Sequence, residues 1–180
     1  TLAVTSAATN VGIGSALIAN YNNLTISGSG TKTLSTATTV GGLLSVEEGK
    51  LTTGANNLTL GGSAIFDAGT SLAITGGTTD FAGKSVTLKS SANESSTIET
   101  AFIENITGTL NNATNVTVQR YIPAGRRTSR FLGHPFSNTL TMASLIDNIY
   151  VTGGNYTTGF DSTGTQSPSA YWFDNASQIW

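Results

Sequence analysis

The sequence predicts an all-β chain: a parallel β-helix-like β-solenoid, followed by a second β-rich, sandwich-like domain that is incomplete at its C-terminus. Three observations carry this. Short apolar-alternating pieces recur, among them Leu24-Thr25-Ile26, Leu44-Ser45-Val46, Leu58-Thr59-Leu60 and Val86-Thr87-Leu88, and each places every second side chain on one side of a strand. Gly, Ser, Asn and Thr separate them, so the chain turns every few residues. Apolar residues also recur at a fixed distance: Ile26, Val46, Phe66, Val86 and Ile106 lie 20 residues apart, and Leu24, Leu44 and Ala64 share that spacing. About 20 residues suits one coil of three short strands, which buries its inner face only by stacking on the next coil.

The elements follow in order. Leu2-Ala3-Val4 and Ala16-Leu17-Ile18 read as opening strands. From Leu24 to Leu88 the repeat is densest, and Leu72-Ala73-Ile74 adds a further strand. Two near-copies, Asn22-Asn23-Leu24-Thr25-Ile26 and Asn56-Asn57-Leu58-Thr59-Leu60, lie 34 residues apart, which is not a multiple of 20. Coil length therefore varies, or one of the two signals is accidental. Asn accepts left-handed backbone angles and bonds its own backbone, so these pairs belong at turn corners, where stacking would align them into ladders. Residues 89–103 are polar and break the pattern, as an irregular coil or a linker. Strand signals resume at Ala101-Phe102-Ile103 and Val116-Thr117-Val118. We place the solenoid at residues 1–110 and the second domain at 111–180. A core column of Ile26, Val46, Phe66, Val86 and Ile106 should run through the first.

Composition changes across that boundary. Residues 116–180 hold four of the eight basic residues, both tryptophans and four of the five tyrosines. A helical turn is expected at 142–150 after Thr141, and two strands at Ala170-Tyr171-Trp172-Phe173 and Gln178-Ile179-Trp180. A second core should gather Tyr121, Phe131, Trp172 and Trp180. A strand signal that runs to Trp180 leads us to expect further sequence in the native protein.

Charged residues make up only 10% of the 180, and the net charge is −2. Such a chain has no global field for nucleic acid, and its 38% hydrophobic content argues against disorder. The apolar run at residues 11–19 is too short to span a membrane. No cysteine is present, which excludes disulfides and thiolate metal sites.

Candidate chemistry is sparse, and no catalytic residue, cofactor or metal site is assigned. His134 is the single histidine, between Gly133 and Pro135, and reads as structural. Glu47 and Glu48 are adjacent and face opposite sides of a strand; Asp67 and Asp80 stand alone. A polysaccharide-cleaving site needs converging carboxylates. Glu47 and Asp67, 20 apart, are the one pair that stacking could bring together. Arg120, Arg126, Arg127 and Arg130 cluster with Tyr121 as a possible sugar, phosphate or sulfate site. The competing reading pairs these arginines with carboxylates between the two domains. Thr31-Lys32-Thr33 and Thr38-Thr39 offer a flat Thr-bearing face, as in ice-binding solenoids. N-x-Ser/Thr sequons begin at Asn23, Asn57, Asn93, Asn105, Asn112, Asn115, Asn155 and Asn175, most of them expected in so Asn- and Thr-rich a chain. Solenoid ends leave backbone groups unpaired, so end-to-end self-association is an expected partnership beside cell-surface polysaccharide.

Val116-Thr-Val-Gln-Arg-Tyr-Ile-Pro123, then Arg130-Phe-Leu-Gly-His-Pro-Phe136, resembles a module of large surface proteins of Bacteroidota exported by type IX secretion. The phrase from Tyr21 to Leu34 is similar to their solenoid repeats, and Ser169-Ala-Tyr-Trp-Phe-Asp174 fits the aromatic strand that follows. The resemblance implies an extracellular or cell-surface location, an adhesive or filamentous role and no catalytic residues. It also makes the arginines part of the module's own motif. Asp161-Ser162-Thr163 resembles the O-glycosylation pattern of such proteins, which implies modification at Ser162 in a loop at 157–168.

Overall fold

The computed structural model describes residues 2–4, 11–13, 19–94, 97–123, 152–153 and 161–162. The chain divides into two units, Thr1–Arg126 and Arg127–Trp180. In the first, parallel strands stack as a β-solenoid with three faces, and no helix occurs among the described residues.

The first face holds β1 (Leu2–Val4), β4 (Leu24–Ile26), β7 (Leu44–Val46), β10 (Ala64–Phe66), β13 (Val86–Leu88) and β18 (Val116–Val118), in that order. The second holds β2 (Val11–Ile13), β5 (Thr31–Leu34), β8 (Lys50–Thr52), β11 (Ser71–Ala73) and β16 (Phe102–Ile103). The third holds β3 (Ala19–Tyr21), β6 (Thr38–Val40), β9 (Leu58–Leu60), β12 (Thr78–Asp80) and β17 (Thr109–Asn111). Each turn of the chain visits the three faces in sequence. Every neighbour within a face is parallel, which is what a chain that winds always in one sense produces.

Three-residue strands with an apolar–polar–apolar pattern explain the first face. Its outer residues point into the lumen and its central residue faces solvent, as the burial of β4, β7, β10 and β13 shows. The inner columns are Leu24, Leu44, Ala64, Val86 and Val116 on one side, and Val4, Ile26, Val46, Phe66, Leu88 and Val118 on the other. Each fully buried aliphatic or aromatic side chain contributes about 1.5–3 kcal/mol. The core thus runs along the axis, so each turn depends on its neighbours.

The expected column Ile26, Val46, Phe66 is present, but its continuation is different. From β10 to β13 the spacing grows to 22 residues, so Leu88 stacks on Phe66 and Val86 stacks on Ala64. Val86 is buried one column over from its expected place. Ile106 is 41% exposed in a corner and belongs to no column. Two changes are responsible: the turn that ends at Val86 is two residues longer, which moves Val86, and after it β14 (Ser90–Ala92) and β15 (Ile98–Thr100) form an antiparallel hairpin where the first face turns into the second, which displaces Ile106. Ala101 N–H donates to the Lys89 carbonyl at 2.7 Å, so the chain returns to its point of departure and the winding resumes. The solenoid therefore runs past the expected limit at residue 110, because Val116–Val118 pairs with β13 as the next strand of the first face.

The two Asn-Asn phrases occupy different corners. Asn22-Asn23 lead into the first face and Asn56-Asn57 into the third, so their 34-residue separation is one 20-residue turn plus the 14 residues from Leu44 to Leu58. Neither forms the expected Asn ladder. Asn23 Oδ1 accepts the Leu43 N–H of the next turn at 2.7 Å, and Asn57 Oδ1 accepts the Thr78 N–H at 2.8 Å. Each Asn pair is followed one turn later by a Gly pair, Gly41-Gly42 and Gly76-Gly77. A Cβ on Gly42 would strike Asn23 Oδ1, and one on Gly77 would strike the Asn56 carbonyl. The Asn amide brackets the corner, and the glycines let the next corner close upon it.

Gly62 sits one turn beyond Gly42, and a Cβ there would lie 2.8 Å from Gly42 Cα and closer still to its carbonyl. Backbone cannot move aside cheaply, so Gly62→Ala is expected to destabilise by about 1–3 kcal/mol. Exposed Ser63→Ala beside it should be near neutral, and urea midpoints of the two variants check the contrast.

In the second unit, Thr152–Gly153 pairs in parallel with Asp161–Ser162. The expected helical turn at 142–150, the strands at 170–173 and 178–180, and Phe131, His134, Trp172 and Trp180 lie outside the described residues.

Candidate functional site

The corner between the first and second faces carries most of the described charge. One residue beyond each first-face strand, Ser27, Glu47, Asp67, Lys89 and Gln119 form a column, each amide from Glu47 onward donating to the preceding turn's backbone. The 20-residue spacing of Glu47 and Asp67 does place them in successive turns. They do not form a free carboxylate pair. Asp67 Oδ1 lies 2.7 Å from Lys89 Nζ in the following turn, and Glu47 Oε1 lies 3.5 Å from the Ser45 hydroxyl.

The hairpin insertion opens this corner. Asp67, Ala68, Lys89, Ser90, Ser91 and Gln119 line a groove of about 330 Å³, open to solvent. Ser90 is held on several sides. Its hydroxyl donates to the Glu99 carbonyl at 2.9 Å, lies 3.1 Å from the Thr100 hydroxyl and accepts the Tyr121 N–H at 3.0 Å. The Glu99 carboxylate accepts from the Asn93 amide at 2.8 Å and packs over Gly69. Sequence reasoning linked Asp67 only to Glu47 and passed over Lys89, Ser90, Ser91 and Gln119 as site residues. The signal was present in part, since Ser27, Glu47 and Asp67 each follow the apolar column by one residue.

Other charges serve the scaffold. Lys50 Nζ meets Glu104 Oε2 at 2.8 Å, and the Ser71 hydroxyl donates to Glu104 Oε1 at 2.9 Å, joining three successive turns. The Lys50 hydrogen bond holds the Glu104 carboxyl below its ordinary range against a smaller opposing effect of burial. Asp80 Oδ1 accepts from the Asn112 amide at 2.8 Å and the Ala82 N–H at 2.7 Å, and these bonds, in that order, lower its pKa. Ala82 and Asn112 both have left-handed backbone, with φ of 48° and 53°, so Asp80 fixes two adjacent unusual corners.

The predicted ligand arginines are only partly described. Arg120 is exposed and its guanidinium donates to the Gln119 carbonyl at 3.0 Å rather than to a carboxylate. Tyr121 is 40% exposed, not a member of a core. Arg126, Arg127 and Arg130 lie outside the described residues. Ser162 stands on the short strand Asp161–Ser162, not in a continuous loop.

The two Thr runs do not share a face. Thr31 and Thr33 are on β5, whereas Thr38 and Thr39 are on β6, and Thr38 is buried. Lys32 points into the lumen. The Thr31 column continues as Lys50, Ser71 and Phe102, which breaks any regular Thr array. Among the described residues no three His, Cys, Asp or Glu side chains gather as a metal site. The chain matches no known family model, no curated protein and no solved structure.

Proposed function

We propose that this chain is a structural and adhesive module of a cell-surface or secreted protein, without enzymatic activity. The observation that carries the reading is the outer surface of the solenoid. The first face presents Ala3, Thr25, Ser45, Ile65, Thr87 and Thr117 in one column, and the third presents Asn20, Thr39, Thr59, Asp80 and Asn111. Short, weakly charged side chains on stacked strands, about 4.8 Å apart, make a stiff polar rod. Its carboxylates Asp67, Asp80 and Glu104 are each tied to an amide or ammonium group, an arrangement that suits a scaffold better than acid–base chemistry. The resemblance to type IX-exported surface proteins of Bacteroidota supports the same location and role. Self-association and attachment to surface polysaccharide are the partnerships this reading offers. An in-frame deletion of residues 24–118 in the producing cell should impair attachment or assembly and leave soluble enzyme activities unchanged. Turnover of a polysaccharide by the purified protein would overturn the reading.

A second reading, a carbohydrate-binding module, is favoured by one specific feature, the polar groove beside the hairpin.

A further inference from the structure

We propose that the groove between Asp67 and Gln119 binds a neutral, hydroxyl-rich ligand, a saccharide unit at the cell surface. The proposal rests on the surface-module reading and supplies its binding site.

The groove exists because one turn of the solenoid is interrupted. In the three turns before it, this corner needs only three or four residues, 27–30, 47–49 and 67–70. After β13 it leaves through the hairpin, and the space between residues 67–68 and 89–91 stays open, with Gln119 beyond Lys89 in the same column. A volume of about 330 Å³ is at the small end of ligand sites and fits a short segment of a chain rather than an enclosed molecule.

The functional groups it offers a ligand are a carboxylate, an ammonium, the Ser91 hydroxyl and a carboxamide, since the Ser90 hydroxyl is taken up by bonds within the wall. Sugar hydroxyls both donate and accept, and this set offers both within one small space. The Asp67–Lys89 pair uses one carboxylate oxygen, leaving the other oxygen and further ammonium hydrogens for a ligand. The three bonds to the Ser90 hydroxyl fix the wall between hairpin and groove, so little ordering remains to be done on binding. One of those bonds, from the Tyr121 backbone N–H, also holds the chain just beyond Gln119 against the hairpin.

Charge decides the class of saccharide. Glu47 precedes Asp67 in the column, and the Glu99 carboxylate lies over Gly69, next to groove-lining Ala68. These three carboxylates face two cations, Lys89 and Arg120, so the neighbourhood is slightly acidic. A uronate would meet that field and would also compete with Asp67 for Lys89. A neutral sugar meets neither obstacle.

The test is an amide-resolved NMR titration of the 180-residue protein. The probes are neutral gluco-, galacto-, manno- and N-acetylated oligosaccharides, with an oligogalacturonide as the acidic arm. Shifts should gather at residues 67–68, 89–91 and 119–121, and a neutral probe should bind more tightly than the uronate. Gln119→Ala removes one exposed carboxamide and should weaken binding about tenfold, the equivalent of one good hydrogen bond, without changing the melting temperature. Thr59→Ala on the third face should leave binding intact. No shift with any probe, shifts confined to another face, tighter binding of the uronate or full retention by Gln119→Ala would each overturn the proposal. If cell attachment needs residues 24–118 but Gln119→Ala attaches normally and no probe shifts the groove, the surface role stands and this site fails.

Discussion

Phe66→Ala is expected to lower the stability of the solenoid by about 3–5 kcal/mol, the largest loss of any single truncation in its core. Phe66 has no exposed surface and stacks between Val46 and Leu88, in the middle of the longest inner column. No polar group shares that site, so the lost ring leaves a cavity that neighbouring backbone, pinned by parallel ladders on both sides, cannot fill. Nearest-neighbour coupling sharpens the consequence. A turn that no longer binds its neighbours separates the solenoid into two shorter stacks, each with a newly exposed end. Urea unfolding followed by far-ultraviolet circular dichroism should therefore show a lower midpoint and a smaller slope. Ile65→Ala, on the same strand but facing outward, is the control and should cost much less. Equal effects from the two would mean that burial in this column does not govern stability. Both tryptophans follow Arg126, so tryptophan fluorescence reports the second unit separately.

This column was legible in the sequence because its spacing is set by strands, whose inner residues must meet the same neighbours in every turn. Corners obey no such rule. Loop closure costs only slightly more for a longer loop, and a corner that projects into water can grow without disturbing the lumen. The two-residue lengthening before Val86 and the hairpin after Lys89 are of this kind, and together they moved Val86 by one column and stranded Ile106. The Asn-Asn phrases misled for a related reason: Asn is useful at any corner, so identical phrases marked two different ones. The boundary at 110 failed because the corner from Asn112 to Asn115 is mostly polar and reads as a linker, yet the strand after it rejoins the first face.

The groove was harder to see. Asp67 and Lys89 are 22 residues apart and Gln119 is a further 30, so no local motif links them. Their common feature is position relative to the first face, which becomes visible only once the strand register is known. Three rather ordinary polar residues become neighbours because the backbone ladders place them at one corner.

Lys32 is the residue whose environment departs furthest from what its chemistry predicts. A lysine between two threonines on a strand reads as solvent-facing, since Lys is almost never fully buried without a charged partner. Here the strand faces the other way. Lys32 has no exposed surface, its stem packs in the column with Leu51, and its ammonium donates to the Gly28 carbonyl and to the Ser29 carbonyl at 2.9 Å. Gly28 and Gly30 have φ of 80° and 92°, conformations that turn the backbone sharply at the corner Lys32 reaches. Two contributions can be separated by substitution. Lys32→Ala removes the packed stem and should cost about 2–5 kcal/mol, as truncation of a buried Met or Leu does. Lys32→Met keeps an unbranched chain of similar length and removes a charge whose burial is itself expensive. The Gly28 and Ser29 carbonyls lose their donor, which costs about 1–3 kcal/mol and offsets what removal of the buried charge gains. Lys32→Met is therefore expected to lie within about 1 kcal/mol of the parent, on either side. Urea midpoints of the three proteins decide between packing and charge. A Met variant as unstable as the Ala variant would show that the ammonium, by holding the glycine corner shut, is what keeps this turn of the solenoid wound.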